Sequence, residues 1–130
     1  MNKTLPICLG LLLLSTSCAH RMVGHWNVDR YETQESGQQG VALMNIGTMN
    51  FKKDGTGDKN LNYTVLGARI DDSTPFVWTW GDDKFIAIES SQSDLSKSWI
   101  IMENKSKYQK WKSTDGSTNI QILELTKTKK

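Results

Sequence analysis

From His25 onward the chain alternates apolar and polar residues with a period of two, and turn-forming residues cut every alternating run short. His25 to Tyr31 carries Trp26 and Val28 on one side. In the stretch from Val41 to Phe51, Val41, Leu43, Met49 and Phe51 share one face, and Ala42, Met44 and Ile46 share the other. Leu61, Tyr63 and Val65 alternate next, followed by Phe76, Trp78 and Trp80, and then by Phe85 to Ile88. Trp99 and Ile101 face away from Ile100 and Met102, Tyr108 to Lys112 alternates around Trp111, and Ile120 to Leu125 closes the series. The intervening stretches, "ESGQQG" (35–40), "KDGTGDKN" (53–60), "DDST" (71–74), "GDDK" (81–84), "SSQSDLS" (90–96), "NKS" (104–106) and "TDGST" (114–118), all carry turn chemistry. Two contain Asp-Gly, a strong short-range hairpin signal. No run has the length and period of a three-turn helix, and no repeat or linker divides the chain. The pattern predicts about eight short antiparallel strands. Such a set leaves two open edges unless it closes, and eight strands make a barrel that either holds one small ligand or is filled by its own side chains. The expected fold is therefore an all-β, eight-stranded antiparallel up-and-down barrel, with a two-sheet β-sandwich as the alternative.

The first residues have a different character. Lys3 supplies a positive charge, and Leu5 to Leu14 is an apolar stretch broken only by Pro6, Cys8 and Gly10. An apolar core of about ten residues suits an export signal, whereas a membrane-spanning helix needs about 20. Small residues Ser15, Thr16 and Ser17 lead to Cys18. This stretch resembles a bacterial lipoprotein signal, in which the residue after the small ones is a cysteine that is acylated and becomes the mature N-terminus. It departs from the common pattern in having Ser15 where a leucine is usual. Ordinary cleavage after Ser17 or Ala19 is the competing reading. Cysteine use favours acylation: with Cys8 removed in the signal, Cys18 has no partner for a disulfide, and acylation removes a thiol exposed to an oxidising compartment. The resemblance implies more than one acyl chain, which anchors firmly where a single chain does not. Ala19 in place of an acidic residue implies the outer membrane, facing the periplasm. The expected organisation is a signal peptide at 1–17, a lipidated tether at 18–23 and one barrel domain at 24–130.

Within the barrel region, "MVGHW" (22–26) puts a Gly-x-Trp at the entrance to the first strand. "NIGTMNFKKDGTG" (45–57), "FVWTW" (76–80) and a last strand "IQILELTK" (120–127) follow in order. This ordered set resembles the lipocalin-like lipoproteins of bacterial envelopes over nearly the whole mature chain. The resemblance implies a barrel with an internal cavity, in which Gly24 and Trp26 form the structural start of the first strand. In true lipocalins an arginine of the last strand covers this tryptophan. Here no arginine follows Arg69, and Lys127 stands nearest to that role.

Sixteen basic side chains nearly cancel fourteen acidic ones, so no basic patch dominates and a nucleic-acid partner is not expected. The "TKTKK" tail reads as a solvated end. Phe76, Trp78 and Trp80 on one strand face are the most informative cluster. Three aromatics in line can floor a cavity and stack on an apolar or planar ligand, or they can fill the barrel; both readings stand. In the first, Met44, Met49 and Met102 add adaptable lining. The oxygen side chains of Asp54, Thr56, Asp58 and Asn60 are spaced like a calcium loop but lack the terminal glutamate, and a hairpin with a glycine bulge explains them. His20 and His25 have no third ligand placed by sequence, so neither a metal nor a cofactor is expected. Asp71-Asp72 and Asp82-Asp83 read as solvated turns, "NYT" (62–64) carries no weight as a glycosylation site, and no serine or free cysteine sits in a nucleophile setting. The sequence thus predicts a monomeric, non-catalytic binding module, held at the membrane by lipid and carrying a small apolar or amphipathic ligand. The alternative is a solid barrel that binds or inhibits another envelope protein, whose identity the sequence does not specify. Eight residue steps from Cys18 to Trp26 span at most about 29 Å. The barrel is therefore expected to ride close to the membrane, and because the first strand of lipocalin-like barrels begins at the closed end, the resemblance implies that this end faces the lipid and the open mouth the aqueous side.

Overall fold

The computed structural model describes residues 21–35, 40–65, 67–113 and 119–128. The expected signal peptide, Cys18, His20 and the second Asp-Gly turn lie outside the described residues. Nine strands follow one another: β1 (Gly24–Glu35), β2 (Val41–Phe51), β3 (Thr56–Val65), β4 (Ala68–Asp72), β5 (Phe76–Gly81), β6 (Phe85–Glu89), β7 (Lys97–Lys105), β8 (Tyr108–Ser113) and β9 (Asn119–Lys127). Consecutive strands pair antiparallel, except that β4 and β5 both pair with β3. The first and last strands pair with each other from Trp26↔Lys127 to Glu35↔Asn119, which closes the ring. Eight strands form the closed up-and-down barrel and β4 is the extra one. The sheet does not divide into two faces as a sandwich requires.

The extra strand has a simple relation to its neighbour. Both β4 and β5 pair with β3 in one register, since Leu61 faces Asp72 and Gly57 faces Phe76. They are two halves of a single strand interrupted at 73–75, where Pro75 has no amide hydrogen to offer a ladder. The sequence expectation of a turn across 71–74 is corrected accordingly. Asp71 and Asp72 belong to β4, with Asp71 exposed and Asp72 buried.

Among the described residues, turns form within the expected stretches 53–60, 81–84 and 90–96, while Asn104 and Lys105 belong to β7. In the β2–β3 hairpin the Gly55 amide bonds the Lys52 carbonyl (3.1 Å), and Gly55 has φ near 90°. Asp54 accepts from both the amide and the hydroxyl of Thr56, and these bonds hold its carboxyl below the ordinary range. β3 therefore starts at Thr56, several residues before the expected Leu61. Asp82 and Asp83 both have positive φ (52° and 62°). They are the central residues of the turn closed by the Lys84 amide donating to the Gly81 carbonyl (2.9 Å), and aspartate tolerates that conformation.

β2 bends midway. Asn45 and Gly47 have φ of 54° and 147°, opposite a bulge between Val28 and Arg30 in β1. A Cβ on Gly47 would lie 2.0 Å from the Asn60 carbonyl oxygen, so only glycine lets β2 approach β3 there. The β2–β3 ladder starts at Gly47↔Leu61. Residues 41–46 and 62–65 then part, and each pairs only on its other side.

Candidate functional site

The two ends of the barrel differ. At the tether end lie Arg21, the β2–β3, β5–β6 and β7–β8 turns, and the C-terminus of β9; at the opposite, loop end β1, β3, β6 and β8 finish. Trp26 and Met22 are fully buried at the tether end. The Trp26 indole donates to the Met22 carbonyl (2.9 Å), and the Lys127 ammonium sits 5.5 Å from its ring. That ammonium also donates to the Arg21 carbonyl (3.0 Å). Lys127 thus covers Trp26 as a cation. Gly24 has a φ of 134°, which strains any other residue, and an added Cβ would lie 2.9 Å from the Lys127 Cε, so the lysine would have to shift.

Above Trp26, Phe51 meets Phe76, Trp78 and Trp111 edge to face, with ring centroids 5.0, 5.5 and 6.1 Å apart. Gly57 makes space for the Phe76 ring, which its missing Cβ would meet at 2.3 Å. The Trp78 indole donates to the carbonyls of Thr56 (3.0 Å) and Lys52 (3.2 Å). Phe76, Trp78 and Met49 are therefore buried core, packed against the protein's own rings. Trp80 is half-buried at the rim of this end and donates to Asp83 (2.7 Å). Met44 and Met102 lie on the outer wall, each more than half exposed. They do not join the interior: plain alternation sets Met44 opposite the inward Leu43, and Met102 opposite the inward Trp99 and Ile101, so both point outward.

The loop end is built from polar groups that point inward. Tyr31 and Tyr63 meet edge to face at 5.5 Å. Gln121 donates to the Tyr31 hydroxyl (2.9 Å) and accepts from the Lys97 ammonium, while its backbone amide bonds the Ser113 hydroxyl (3.0 Å). The Tyr63 hydroxyl donates to Asp94 (3.0 Å). Burial first, and the Asp94 charge second, push both tyrosines well above the ordinary phenol range, so they stay neutral donors. Lys97 also lies 5.6 Å from the buried Trp99 ring. Leu43, Val65 and Ile70, half-buried, pack against the core beside the point where β2 and β3 part. Alternation alone could not single out Lys97 or Gln121 among many polar residues, because which face of a strand is inside is a tertiary fact.

A second polar cluster fills the break between β4 and β5. The fully buried Lys59 ammonium is 2.8 Å from Asp72 and donates to the Thr74 carbonyl (2.8 Å), the Thr74 hydroxyl (2.7 Å) and the Ser90 hydroxyl (2.7 Å). Asp72 also accepts from Ser93 (2.6 Å) and Thr74 (2.9 Å). Burial opposes its ionisation, but the bonds from Lys59, Ser93 and Thr74 outweigh burial and hold its carboxyl below the ordinary range. Each charge is paired and hydrogen-bonded, which makes this a structural lock. Among the described residues no group of three or more His, Cys, Asp or Glu side chains could hold a metal.

Fold and interior together define a closed antiparallel β-barrel, plugged with aromatic rings at one end and lined with polar groups at the other. No protein-family model matches the chain, and no curated protein matches it. Among the solved structures it resembles is a redesigned β-barrel, 14% identical, which aligns over 85% of this chain and 95% of that one with a TM-score of 0.49.

Proposed function

We propose that the chain is a lipid-anchored, lipocalin-like protein of a bacterial cell envelope that binds a small amphipathic molecule at the loop end of its barrel, without catalysis. The observation that carries this reading is the pairing of two surfaces there. The half-buried apolar side chains Leu43, Val65 and Ile70 stand beside the Tyr31–Gln121–Lys97 network. An apolar body meets the first set, and a polar group that accepts hydrogen bonds meets the second. The interior of the aromatic tether end is packed with its own rings. Anchoring at Cys18 is supported by the apolar run and small residues before it, and outer-membrane placement by Ala19 after it.

The test is native mass spectrometry of the protein extracted gently from its own cells, paired with titration by a series of fatty acids and aromatic probes. Trp99, beside Lys97, serves as the fluorescent reporter. A retained small mass is expected, together with saturable quenching that Trp99→Phe removes and Leu43→Ser weakens. A bare mass with flat titrations would sink the reading. It would favour instead a solid barrel that works through its outer surface, where Met44, Val77 and Phe85 are exposed.

A further inference from the structure

In an antiparallel sheet with one solvated face, the outward residue of each alternating pair is ordinarily polar. Phe85, Ile100 and Met102 break that pattern, with 44%, 45% and 52% of their surfaces exposed. Phe85 and Ile100 are register partners on β6 and β7, and Met102 lies two residues farther along β7 at its bulge. The Phe85 ring is seated over Gly81, where an added Cβ would lie 2.3 Å from it, so the ring is held against backbone.

The patch lies where the chain leaves for its N-terminus. Arg21 donates to the Asn104 carbonyl (3.2 Å), two residues beyond Met102 on β7, and Lys127 bonds the Arg21 carbonyl. Cys18 is three residue steps earlier in the sequence, at most about 11 Å of extended chain. Lys84 precedes Phe85, and Lys112 is the register partner of Ile100. The nearby carboxylates are Asp82 and Asp83 in the β5–β6 turn and Glu103, which pairs with Lys105 at 3.7 Å.

We infer that Phe85, Ile100 and Met102 form a second membrane contact, which lays the β6–β7 wall on the leaflet that holds the Cys18 lipid. This rests on the anchored reading above. Three apolar side chains flanked by Lys84, Lys112 and Arg21 suit the boundary between acyl chains and anionic headgroups. A patch this small binds weakly alone. A short tether converts that contact into an intramolecular one with a high effective concentration. The barrel is thereby tipped onto one side, and the opposite wall, carrying Met44 on β2, faces water.

The experiment uses the full chain produced in a bacterium and reconstituted in vesicles of phosphatidylethanolamine and phosphatidylglycerol. Spin labels are placed through Ile100→Cys, Met102→Cys and the control Met44→Cys, all exposed positions. The labels of Ile100→Cys and Met102→Cys should show an oxygen-to-nickel accessibility ratio several-fold above that of Met44→Cys. Equal ratios at the three positions, in protein that remains on the vesicles, overturn the contact. So does protection of positions 100 and 102 that grows with protein concentration in the absence of vesicles, which marks a second copy as the occupant. An intact mass without acyl groups defeats the anchoring. Without the anchor the patch has no tether to hold it at the leaflet, so that outcome overturns the contact as well, whereas equal ratios in acylated protein overturn the contact alone.

Discussion

At the tether end of this barrel Trp26, Phe51, Phe76, Trp78 and Trp111 fill the interior, and their few polar atoms are each satisfied by a nearby partner. At the loop end the interior carries Lys59, Asp72, Lys97, Gln121 and two tyrosines. One end gains its stability from apolar area and ring geometry, with each edge-to-face pair contributing about 0.5–1.5 kcal/mol beyond burial. The other end depends on hydrogen bonds that must all be made, because an unpaired buried group costs more than a made bond returns. A packed end gives the barrel a rigid base. A polar end keeps directional groups at the level where a ligand enters, and it does so at a cost in stability. The contrast shows how one closed sheet can carry a scaffold and a candidate site without a second domain.

The largest effect should come from removing the ring at the centre of the aromatic plug. Phe51→Ala loses three edge-to-face partners and should destabilise the protein by about 3–5 kcal/mol in urea unfolding. A loss no larger than that of an exposed substitution would mean the plug is not what holds this end. At the other end, Lys59→Met leaves Asp72 buried without its cation and should cost about 3 kcal/mol or more. The double change Lys59→Met/Asp72→Leu should recover much of that loss. If the double variant is as unstable as the single one, the cluster is not a charge pair in energetic terms.

The same cluster predicts a pH dependence. Because the folded carboxyl of Asp72 is held below its ordinary value of 3.8, its contribution is complete above that value. It is lost as pH falls through the lower folded value. Stability measured across the acid range should therefore fall more steeply in the wild type than in Asp72→Asn, and equal slopes would contradict the shift.

A smaller effect is expected at the bend of β2. Gly47→Ala must strain a positive φ and push against the Asn60 carbonyl, costing about 1–3 kcal/mol. Hydrogen exchange should show the loss concentrated where the β2–β3 ladder begins. The smallest belongs to Lys127→Ala, which removes the cation over Trp26 for about 0.5–1 kcal/mol. Lys127→Arg should match or exceed the wild type, since a guanidinium stacks better on an indole.

Much of the architecture was legible because alternation and turn chemistry are local. The Gly-x-Trp start, the Asp54-Gly55 hairpin and the Asp82-Asp83 turn could be read directly, since each depends on the backbone preferences of a few adjacent residues. Ala68 to Asp72 was not read as a strand, because Asp71, Asp72, Ser73 and Thr74 look like a turn when taken alone. Lys59, fully buried and thirteen positions away, makes an inward carboxylate at Asp72 tolerable together with Ser93 and Thr74. Met44 and Met102 were expected as lining for the adaptability of methionine, but alternation sets each on the face away from Leu43 or from Trp99 and Ile101, and the structure keeps that parity.

The candidate site moved for the same reason. Aromatic residues in line are visible in any sequence, but whether they floor a cavity or close one depends on what faces them across the barrel, and Phe51, itself packed on Trp111, meets Phe76 and Trp78 here. The polar end was hidden because Lys97, Gln121 and Tyr31 are ordinary residues until three strands bring them together. Sequence by itself determined that the chain forms strands, where most of them turn, and that their edges favour closure, because those properties rest on period-two patterning and local φ preferences. Only the tertiary structure decided which end is packed and which is polar, because register across the closed sheet determines what each inward side chain meets.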